Sequence, residues 1–362
     1  MKVLHVITYL SDGGGAEKLL EDLLPSMKEK GVEVSVAVLK HLDSTNYQKL
    51  MNAGINIITI GTGANLYSFS KMLKLLPIMK QYDVVHTHLT PPFLMGAFNS
   101  FFCKNTKFVC TIHNTDSKLR HLPLFRYIEK WAYCRYNALI ACSKEAEDAL
   151  RKIWDNGKTC ILTINNGVKL EKFMNAQPSE DIVKISGKKI VMVAVFRSQK
   201  DHKCLIRAAK LLPEDFHVFF VGYGGLLEEM RKFSESLGIC SRIHFLGKRT
   251  DVPNILKASD IVVLSSHYEG LSLSSIEGMA AGKPFLASDV PGLHEIVNGY
   301  GILFPQGDAK ALANFILNLS NDSNYYKTVA NKCLERAQMY DMQKMVNEYY
   351  QVYLDCMSNR CI

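Results

Sequence analysis

Short apolar runs rich in β-branched residues alternate with segments of helical periodicity along almost the whole chain. In the first half, runs such as KVLHVIT, VEVSVAVL, DVVHTH and TKFVCTIH are separated by helical patterns such as AEKLLEDLLPSMKEKG and SKEAEDALRKIW. Alternation of this kind favours a parallel sheet with helices on both faces. The first half therefore predicts an α/β domain of Rossmann-like topology.

A polar, poorly periodic segment near residues 172–187 interrupts this pattern, and its Pro178 and Gly187 favour a linker. The alternation then restarts with strand candidates KKIVMVAVF, HVFFVGYG, RIHFLG and DIVVLSS and with helical segments KCLIRAAKLL and GLLEEMRKFSESLG. A length of 362 residues also suits two domains better than one core. We predict two consecutive Rossmann-like domains, residues 1–172 and 173–340, followed by a helical C-terminal segment.

The composition is that of an ordinary soluble globular protein, with 48% hydrophobic and 22% charged residues. No apolar run approaches the ~20 residues that span a bilayer. The opening MKVLHVITYL leads straight into GGGAE, which predicts a buried first strand and not a secretory signal. The ten scattered cysteines include no C-x-x-C pair, which favours reduced thiols in a cytoplasmic protein. Cysteine and histidine spacing indicates no metal site.

The net charge of +8 is concentrated in the first half of the chain. Residues 1–176 carry 22 Lys and Arg against 15 Asp and Glu, and the remainder carries 21 against 20. A basic half suggests an anionic partner such as nucleic acid, a phosphorylated substrate or a membrane surface, although solvated lysines explain the excess equally well. Residues 113–136 also interleave cations with aromatics, which suits either a membrane interface or a helix whose aromatics are core.

The segment YEGLSLSSIEGMAAGKP, residues 268–284, carries the clearest functional signal. Glu269 lies on a turn before a helix-forming run, and Glu277 lies one to two turns inside that run. The turn and helix start, at Gly270, Leu271 and Ser272, would present backbone N–H groups and the positive end of the helix dipole to a diphosphate. Carboxylates on either side would accept hydrogen bonds from sugar or ribose hydroxyls. An ordinary strand-turn-helix with surface glutamates is the plain alternative.

Two other loops that follow strand candidates carry possible phosphate contacts. Gly14 and Gly15 lie in a glycine-rich turn where the backbone can approach a ligand closely. Arg197 and Lys200 follow the first strand of the second domain, where cations would neutralise a diphosphate leaving group. A tight turn and a pair of solvated cations are the corresponding structural interpretations.

These segments together resemble retaining glycosyltransferases of family 4. Residues 262–297, VVLSSHYEGLSLSSIEGMAAGKPFLASDVPGLHEIV, are similar to the donor-site block of that family, with Glu269 and Glu277 as its E-x7-E motif. GGGAE is similar to the GGAE loop that lies beside the donor phosphate and the acceptor. The resemblance covers essentially the full length and is strongest from residue 190 to residue 307.

The cationic loop and the histidines match the family less uniformly. The family often has its arginine five residues before the lysine; Val195 takes that position here, so Lys200 carries over better than Arg197. His113, in CTIHNTD, matches a histidine that lies close to the donor sugar. His86 and His88 also end a strand, and they suit either acceptor contacts or structural roles.

Two turns of the second domain resemble the nucleotide-binding part of the family. FVGYGGLLEEM, with Gly222 and Gly224, is similar to the G-x-G turn that flanks the nucleotide. FLGKRTDVPNIL is similar to the loop beside the base, with Arg249 as a candidate for base stacking or ribose binding. Without the resemblance, both patterns would indicate only a turn.

The resemblance implies the GT-B architecture, in which two Rossmann-like domains face a central cleft and the last helix, within residues 341–362, packs on the N-terminal domain. It implies transfer of a sugar, with retention, from a nucleotide-diphosphate sugar to a hydroxyl of a glycan or polyprenyl-linked acceptor. Lys200 and Arg197 would stabilise the leaving diphosphate, Glu269 and His113 would contact the sugar, and Glu277 would contact the ribose. No metal or other cofactor is expected.

Bacterial surface-polysaccharide or lipid-linked oligosaccharide assembly is the setting that this resemblance suggests, in the cytoplasm and with peripheral association at the inner membrane face. Two other classes remain. One is a different GT-B activity, either a sugar-nucleotide epimerase or an inverting transferase. The other is a non-catalytic protein that binds a nucleotide sugar or nucleic acid, which the basic first half permits; we expect no nucleic-acid partner.

Overall fold

The computed structural model describes residues 1–12, 15–63, 65–113, 123–154, 159–269 and 272–358. The chain divides into two compact units, Met1–Gly167 with Met342–Ile362 and Val168–Asp341. Each unit contains one fully parallel sheet with helices between its strands. The predicted α/β class with two Rossmann-like domains is confirmed.

The first unit has a seven-stranded sheet in the order β3-β2-β1-β4-β5-β6-β7. Its strands are β1 (Lys2–Ile7), β2 (Glu33–Val38), β3 (Asn56–Thr59), β4 (Val84–His88), β5 (Lys107–Ile112), β6 (Ala138–Ala141) and β7 (Cys160–Thr163). Its helices up to residue 167 are α1 (Gly15–Glu29), α2 (Thr45–Asn52), α3 (Phe69–Met79), α4 (Thr90–Asn99), α5 (Pro123–Tyr133) and α6 (Lys144–Ile153).

Strand β1 illustrates why the apolar runs become central strands. Side chains alternate between the two faces of a sheet. Val3 and Ile7 pack into the cluster that contains the buried side of α1, whereas Leu4 and Val6 pack into a second cluster with residues of α3 and α4. Because helices cover both faces, the strand carries apolar residues on both of its faces and shows no simple alternation.

The second unit has a six-stranded sheet in the order β10-β9-β8-β11-β12-β13. Its strands are β8 (Lys188–Val193), β9 (Phe216–Val221), β10 (Ile243–Gly247), β11 (Ile261–Leu264), β12 (Phe285–Ser288) and β13 (Ile302–Phe304). Its helices are α7 (Glu171–Met174), α8 (Glu180–Val183), α9 (His202–Leu211), α10 (Leu227–Ser236), α11 (Val252–Ala258), α12 (Leu273–Ala280), α13 (His294–Val297), α14 (Ala309–Asn321) and α15 (Ser323–Gln338).

The segment predicted as a linker is more ordered than its composition indicates. It contains α7 and α8, each four residues long. Ile182 is buried in the core of the second unit, and the Ser179 N–H donates to the Asn254 carbonyl at 3.0 Å. A helix of four residues is too short to produce a visible hydrophobic period, so the pattern alone could not reveal it.

The C-terminal helix, α16 (Met342–Met357), belongs to the first unit although it follows the second in sequence. Its buried face, which includes Met345, Tyr349 and Tyr353, packs in the cluster that contains α1 and one face of the seven-stranded sheet. Within the described ranges, no helix is both long enough and apolar enough to cross a membrane.

Candidate active site

The carboxyl ends of β8 and β11 form the centre of the candidate active site. All four residues of β11 are buried, and the strand pairs with β8 on one side and β12 on the other. Because the strands are parallel, the loops after β8 and β11 emerge at the same edge of the sheet. Open α/β sheets bind ligands at this edge.

Lys200 and Glu269 form an ion pair at this edge. Lys200 Nζ contacts Glu269 Oε1, and the Ser266 hydroxyl donates a hydrogen bond to the same oxygen at 2.5 Å. The lysine and glutamate side chains are 14% and 8% exposed. An ammonium group carries three donors, so Lys200 can bind an anion while it stays beside the carboxylate. Ser266 was not predicted from the sequence, because a serine after a strand carries no distinctive signal.

Hydrogen bonds between the two loops fix the position of this pair. The Ser265 hydroxyl donates to the Lys200 carbonyl at 3.2 Å. The Gln199 side chain donates to the Tyr268 carbonyl at 2.8 Å, and the His267 N–H donates to the Gln199 carbonyl at 2.7 Å. Since these bonds flank the ion pair, the backbone positions the charged groups before any ligand binds, which suits electrostatic stabilisation.

Arg197 is placed differently from Lys200. It is exposed at the start of the short turn Ser198–Lys200, and it lines a cavity of about 280 Å³ together with Lys203 and His267. The two cations predicted for one diphosphate therefore differ in their surroundings. Lys200 is paired with a carboxylate, whereas Arg197 borders the cavity.

The helix that carries Glu277 begins where the sequence predicts. Ser272 precedes α12 and makes no side-chain capping bond to the helix; its hydroxyl lies 3.1 Å from that of Ser274. Glu277 lies in the second turn of α12 and is half-buried. Gly270 and Leu271 lie outside the described residues, so their predicted phosphate contacts remain predictions.

The glycine-rich turn before α1 is only partly described. Gly14 lies outside the described residues. Gly15 opens α1 and is exposed, and an added Cβ there would meet no described atom within 4 Å. No close backbone approach within the described protein therefore explains a glycine at this position, and the predicted role beside a ligand remains a prediction.

Gly222 and Gly224 have an architectural reason to be glycines. A Cβ on Gly222 would lie 1.9 Å from the Ala194 carbonyl oxygen, and one on Gly224 would lie 2.5 Å from the Phe196 carbonyl oxygen. The φ angles of 153° and 149° also favour glycine. This turn packs directly against the chain that leads from β8 to Lys200, so it supports the site whether or not it touches a nucleotide.

Arg249 is held by two carboxylates. Its Nε and Nη2 donate to the carboxylate of Asp251 at 2.7 and 2.6 Å, and its Nη1 donates to Asp181 at 2.9 Å. Hydrogen bonds from the Ser179 hydroxyl and from Arg249 lower the pKa of Asp181 to about 2. Because the edge of the guanidinium is occupied, base stacking on its face is the ligand contact that this geometry favours, and ribose binding is disfavoured.

His113 follows β5, is partly buried, and lies beside a group of buried histidines. Its Nε2 lies 3.1 Å from Nδ1 of His88, and burial lowers the pKa of His113 to about 4. His86 bonds the Tyr353 hydroxyl at 2.6 Å and the Thr111 hydroxyl at 2.7 Å. His86 and His88 are both 0% exposed, so the suggestion that they contact an acceptor directly is wrong. Their hydrogen bonds are made to other side chains within the core.

Comparison with known proteins agrees with this architecture. Residues 179–336 match the family model described as glycosyl transferases group 1, and residues 13–172 match the model described as Glycosyltransferase Family 4. Each match lies within one of the two units or nearly so and covers less than half of the chain, and the group 1 match spans the Lys200–Glu269 pair and α12. Together the two matches span most of the chain, which is therefore a glycosyltransferase with the GT-B fold.

The individual relatives share only 19–27% sequence identity with this chain. The chain is 27% identical over 326 residues to the UDP-Gal:alpha-D-GlcNAc-diphosphoundecaprenol alpha-1,3-galactosyltransferase of Escherichia coli, covering 84% of this chain and 82% of the relative. Among solved structures, HepE of Anabaena in complex with UDP superposes with a TM-score of 0.82 at 21% identity, covering 97% and 99% of the two chains. A glycosyltransferase from Rickettsia africae gives a TM-score of 0.84 at 19% identity, covering 99% of both.

Proposed function

We propose that the protein is a retaining glycosyltransferase of family 4 that transfers a sugar from a nucleotide-diphosphate sugar to a hydroxyl of a glycan or lipid-linked acceptor. The observation that carries the proposal is the preorganised Lys200–Glu269 pair at the carboxyl ends of β8 and β11. A cation and a carboxylate at one sheet edge suit the two parts of such a donor, since the ammonium binds diphosphate and the carboxylate accepts hydrogen bonds from the sugar.

In the proposed reaction, the bond between the anomeric carbon and the donor phosphate oxygen breaks while the acceptor oxygen bonds to the same face of the sugar. The departing phosphate takes the proton of the acceptor hydroxyl. Lys200, assisted by Arg197 and the N-terminus of α12, stabilises the negative charge that grows on the diphosphate. Glu269 and His113 hold the sugar, and Glu277 accepts hydrogen bonds from the ribose.

A cytoplasmic role in cell-surface polysaccharide assembly is part of the proposal. The Escherichia coli relative is named for a UDP-galactose donor and a diphosphoundecaprenol acceptor, and HepE of Anabaena was crystallised with UDP-glucose. These names support UDP-sugars as the first donors to test and a lipid diphosphate as the first acceptor.

Thermal stabilisation of the purified protein by a panel of UDP-, GDP- and ADP-sugars tests the donor class. A ligand that binds only the folded state raises the unfolding temperature, so the preferred donor should give the largest shift. NMR of the product formed with that donor then reports the anomer. An inverted anomer, or epimerisation of the donor without transfer, would replace the proposal with another GT-B activity. Stabilisation without any turnover would favour a non-catalytic binding protein.

We expect full activity in excess EDTA. The positive charge needed at the diphosphate is supplied in our proposal by Lys200, Arg197 and the start of α12, none of which a chelator removes. Initial rates measured with and without EDTA, using the donor identified by thermal shift, provide the test. A loss of activity that magnesium or manganese restores would mean that the leaving group is stabilised by a metal, and that the proposed roles of these cations are wrong.

The surface around α5 is the candidate for docking on an anionic membrane. Tyr127 is 74% exposed, Ile128 and Trp131 are each 38% exposed, and Arg126 is exposed beside them. Tyr133, on the opposite side of α5, is buried in the core. The helix therefore combines a core face with an exposed aromatic and cationic face, and only the exposed face is available for the proposed docking. A membrane interface favours such an exposed face.

Replacing Arg126 and Lys130 with glutamine should weaken binding of the protein to vesicles that contain anionic lipid. Each cation near such a surface contributes about 1 kcal/mol, and raising salt to 1 M should weaken wild-type binding because the Debye length falls to ~3 Å. Vesicle co-sedimentation measures both effects. A matched control replaces the exposed Lys30 and Lys184, which removes the same charge elsewhere. If both variants lose vesicle binding equally, the binding depends on the net charge of the protein and not on α5.

A further inference from the structure

Four histidines occupy adjoining positions on three neighbouring strands of the first unit. His5 lies on β1 and is in register with His86 on β4, His88 lies two residues further along β4, and His113 follows β5. Side chains two residues apart on one strand, or in register on neighbouring strands, lie on the same face of a sheet. The four rings are therefore brought together by the strand order β1-β4-β5, and the resemblance that assigns a role to His113 says nothing about His5.

Three of these rings are linked in a row. His5 Nδ1 lies 3.0 Å from His88 Nε2, and His88 Nδ1 lies 3.1 Å from His113 Nε2. The first two rings are fully buried, and His113 is only partly buried, so the row runs from the core toward the carboxyl edge of the seven-stranded sheet. His86 is packed against this row but is bonded elsewhere, to Tyr353 and Thr111.

The two hydrogen bonds between the rings restrict which nitrogen of each ring can carry its hydrogen. Burial lowers the pKa of His5 to about 3 and of His113 to about 4, and it lowers the pKa of His88 well below 6.5, so all three rings are neutral at pH 7. A neutral imidazole has one N–H and one acceptor nitrogen. Each link needs one N–H, and a ring that donates from one nitrogen must accept at the other. The tautomer of one ring therefore sets the tautomers of the other two.

His5, at the buried end of the row, determines in which direction the two hydrogen bonds are donated. His5 Nε2 is buried and has no hydrogen-bond partner among the described residues. Buried N–H groups without an acceptor are rarer than acceptors without a donor, which places the His5 hydrogen on Nδ1. His5 then donates to His88 Nε2, His88 donates from Nδ1 to His113 Nε2, and His113 is left with its own hydrogen on Nδ1.

We propose that His5 and His88 are positioning residues, which hold the His113 ring in the tautomer protonated at Nδ1 and thereby make it a hydrogen-bond donor to the donor sugar. The part that concerns the sugar rests on the proposed function. The part that concerns the tautomer does not, because it follows from the bonds within the first unit. A fixed tautomer and orientation is what a sugar contact needs in order to favour one geometry of the transition state.

The tautomer can be read without substrate. Long-range ¹H–¹⁵N spectra distinguish a protonated ring nitrogen from an unprotonated one, and His113→Gln identifies the His113 signals by their loss. We expect wild-type His113 to be protonated at Nδ1 at pH 7. His88→Leu should give a mixture of both tautomers, whereas the matched variant His86→Leu, equally buried on the same strand but not linked to His113, should leave the His113 signals unchanged.

Turnover provides the second measurement. His88→Leu should lower kcat about 10-fold, the effect of losing one orienting hydrogen bond, with less change in KM for the donor. If His88→Leu does not fold, His5→Leu removes the inner end of the row without touching His113 and should shift the tautomer in the same way. A wild-type His113 protonated at Nε2, or one unaffected in both variants, overturns the proposal.

Two further outcomes would give these histidines a different role. Nitrogens of His5, His86 and His88 lie within 4.8 Å of one another, so one equivalent of zinc retained after dialysis would replace the hydrogen-bonded row with a metal site. If the tautomer behaves as expected but His113→Gln keeps full turnover, the row exists and the proposed contact between His113 and the sugar is wrong. The two failures are thus distinguishable.

Discussion

Replacing Lys200 with alanine should lower turnover on the order of 100-fold, because the group that stabilises the departing diphosphate is lost. A 100-fold loss corresponds to about 2.7 kcal/mol of transition-state stabilisation. The free energy of unfolding should fall by about 1–3 kcal/mol, between the values for an exposed and a buried pair, since the pair is largely buried but the Ser266 hydroxyl remains bonded to the carboxylate. Steady-state kinetics and denaturant unfolding of the same preparation separate the two effects.

The Lys200 experiment has two useful controls. Lys210→Ala removes an exposed lysine from the last turn of α9 in the same unit and should leave turnover unchanged. The double variant Lys200→Ala with Glu269→Gln removes the cation without leaving an unpaired carboxylate, so its stability should recover relative to Lys200→Ala while its turnover does not. Near-normal turnover in a folded Lys200→Ala variant would remove this residue from the site.

Glutamine substitutions at Glu269 and Glu277 should separate sugar binding from ribose binding. A hydrogen bond to a charged group contributes about 1.5–3 kcal/mol, or roughly 10- to 100-fold in affinity. Glu277→Gln should weaken binding of the bare nucleoside diphosphate and of the donor equally, because both contain the ribose. Glu269→Gln should leave binding of the bare diphosphate nearly unchanged while it lowers turnover and discrimination between donors.

The Lys200–Glu269 pair explains why Glu269→Gln is expected to keep its affinity for the bare nucleoside diphosphate. In the protein without ligand, the Glu269 carboxylate already attracts the Lys200 ammonium, so removing its charge does not take a favourable group away from the diphosphate. Isothermal titration of each variant with nucleoside diphosphate and with donor measures both affinities, and Glu228→Gln, 77% exposed on α10, is the control. Loss of diphosphate affinity in Glu269→Gln but not in Glu277→Gln would reverse the two assignments. If neither variant changes affinity or turnover, residues 268–284 are an ordinary strand-turn-helix without a role in donor binding.

Much of the fold was predictable because its strands are buried on both faces. β11 is apolar at all four positions, and the strand candidates of both halves became neighbours in parallel sheets. Elements with weak patterns were missed: α7 and α8 are too short for a period, and α2 and α14 were not recognised. The α/β class survives such omissions, since it depends on the repeated alternation and not on any single helix.

The residues of the candidate site that are close in sequence were indicated together. Glu269, Ser272 and Glu277 lie in one strand-turn-helix segment, so turn chemistry and resemblance indicated them together. The sequence also placed Lys200 at the end of a strand, but it could not show which group the ammonium would face. The acceptor role suggested for His86 and His88 was wrong because both side chains are fully buried: Tyr353 of α16 is hydrogen-bonded to His86, and His5 and His113 are hydrogen-bonded to His88.

The sequence by itself determined where the strands and many of the longer helices lie, that there are two α/β halves, and which loops carry charge suited to a phosphorylated sugar, because all of these are encoded in local pattern. Only the tertiary structure decided which side chains from distant parts of the chain meet. Lys200 meets Glu269 across 69 residues, and His5 meets His88 across 83, because β8 adjoins β11 and β1 adjoins β4. Strand order is set by how whole helices pack over the sheets, and this is a property of the folded chain that no single segment contains.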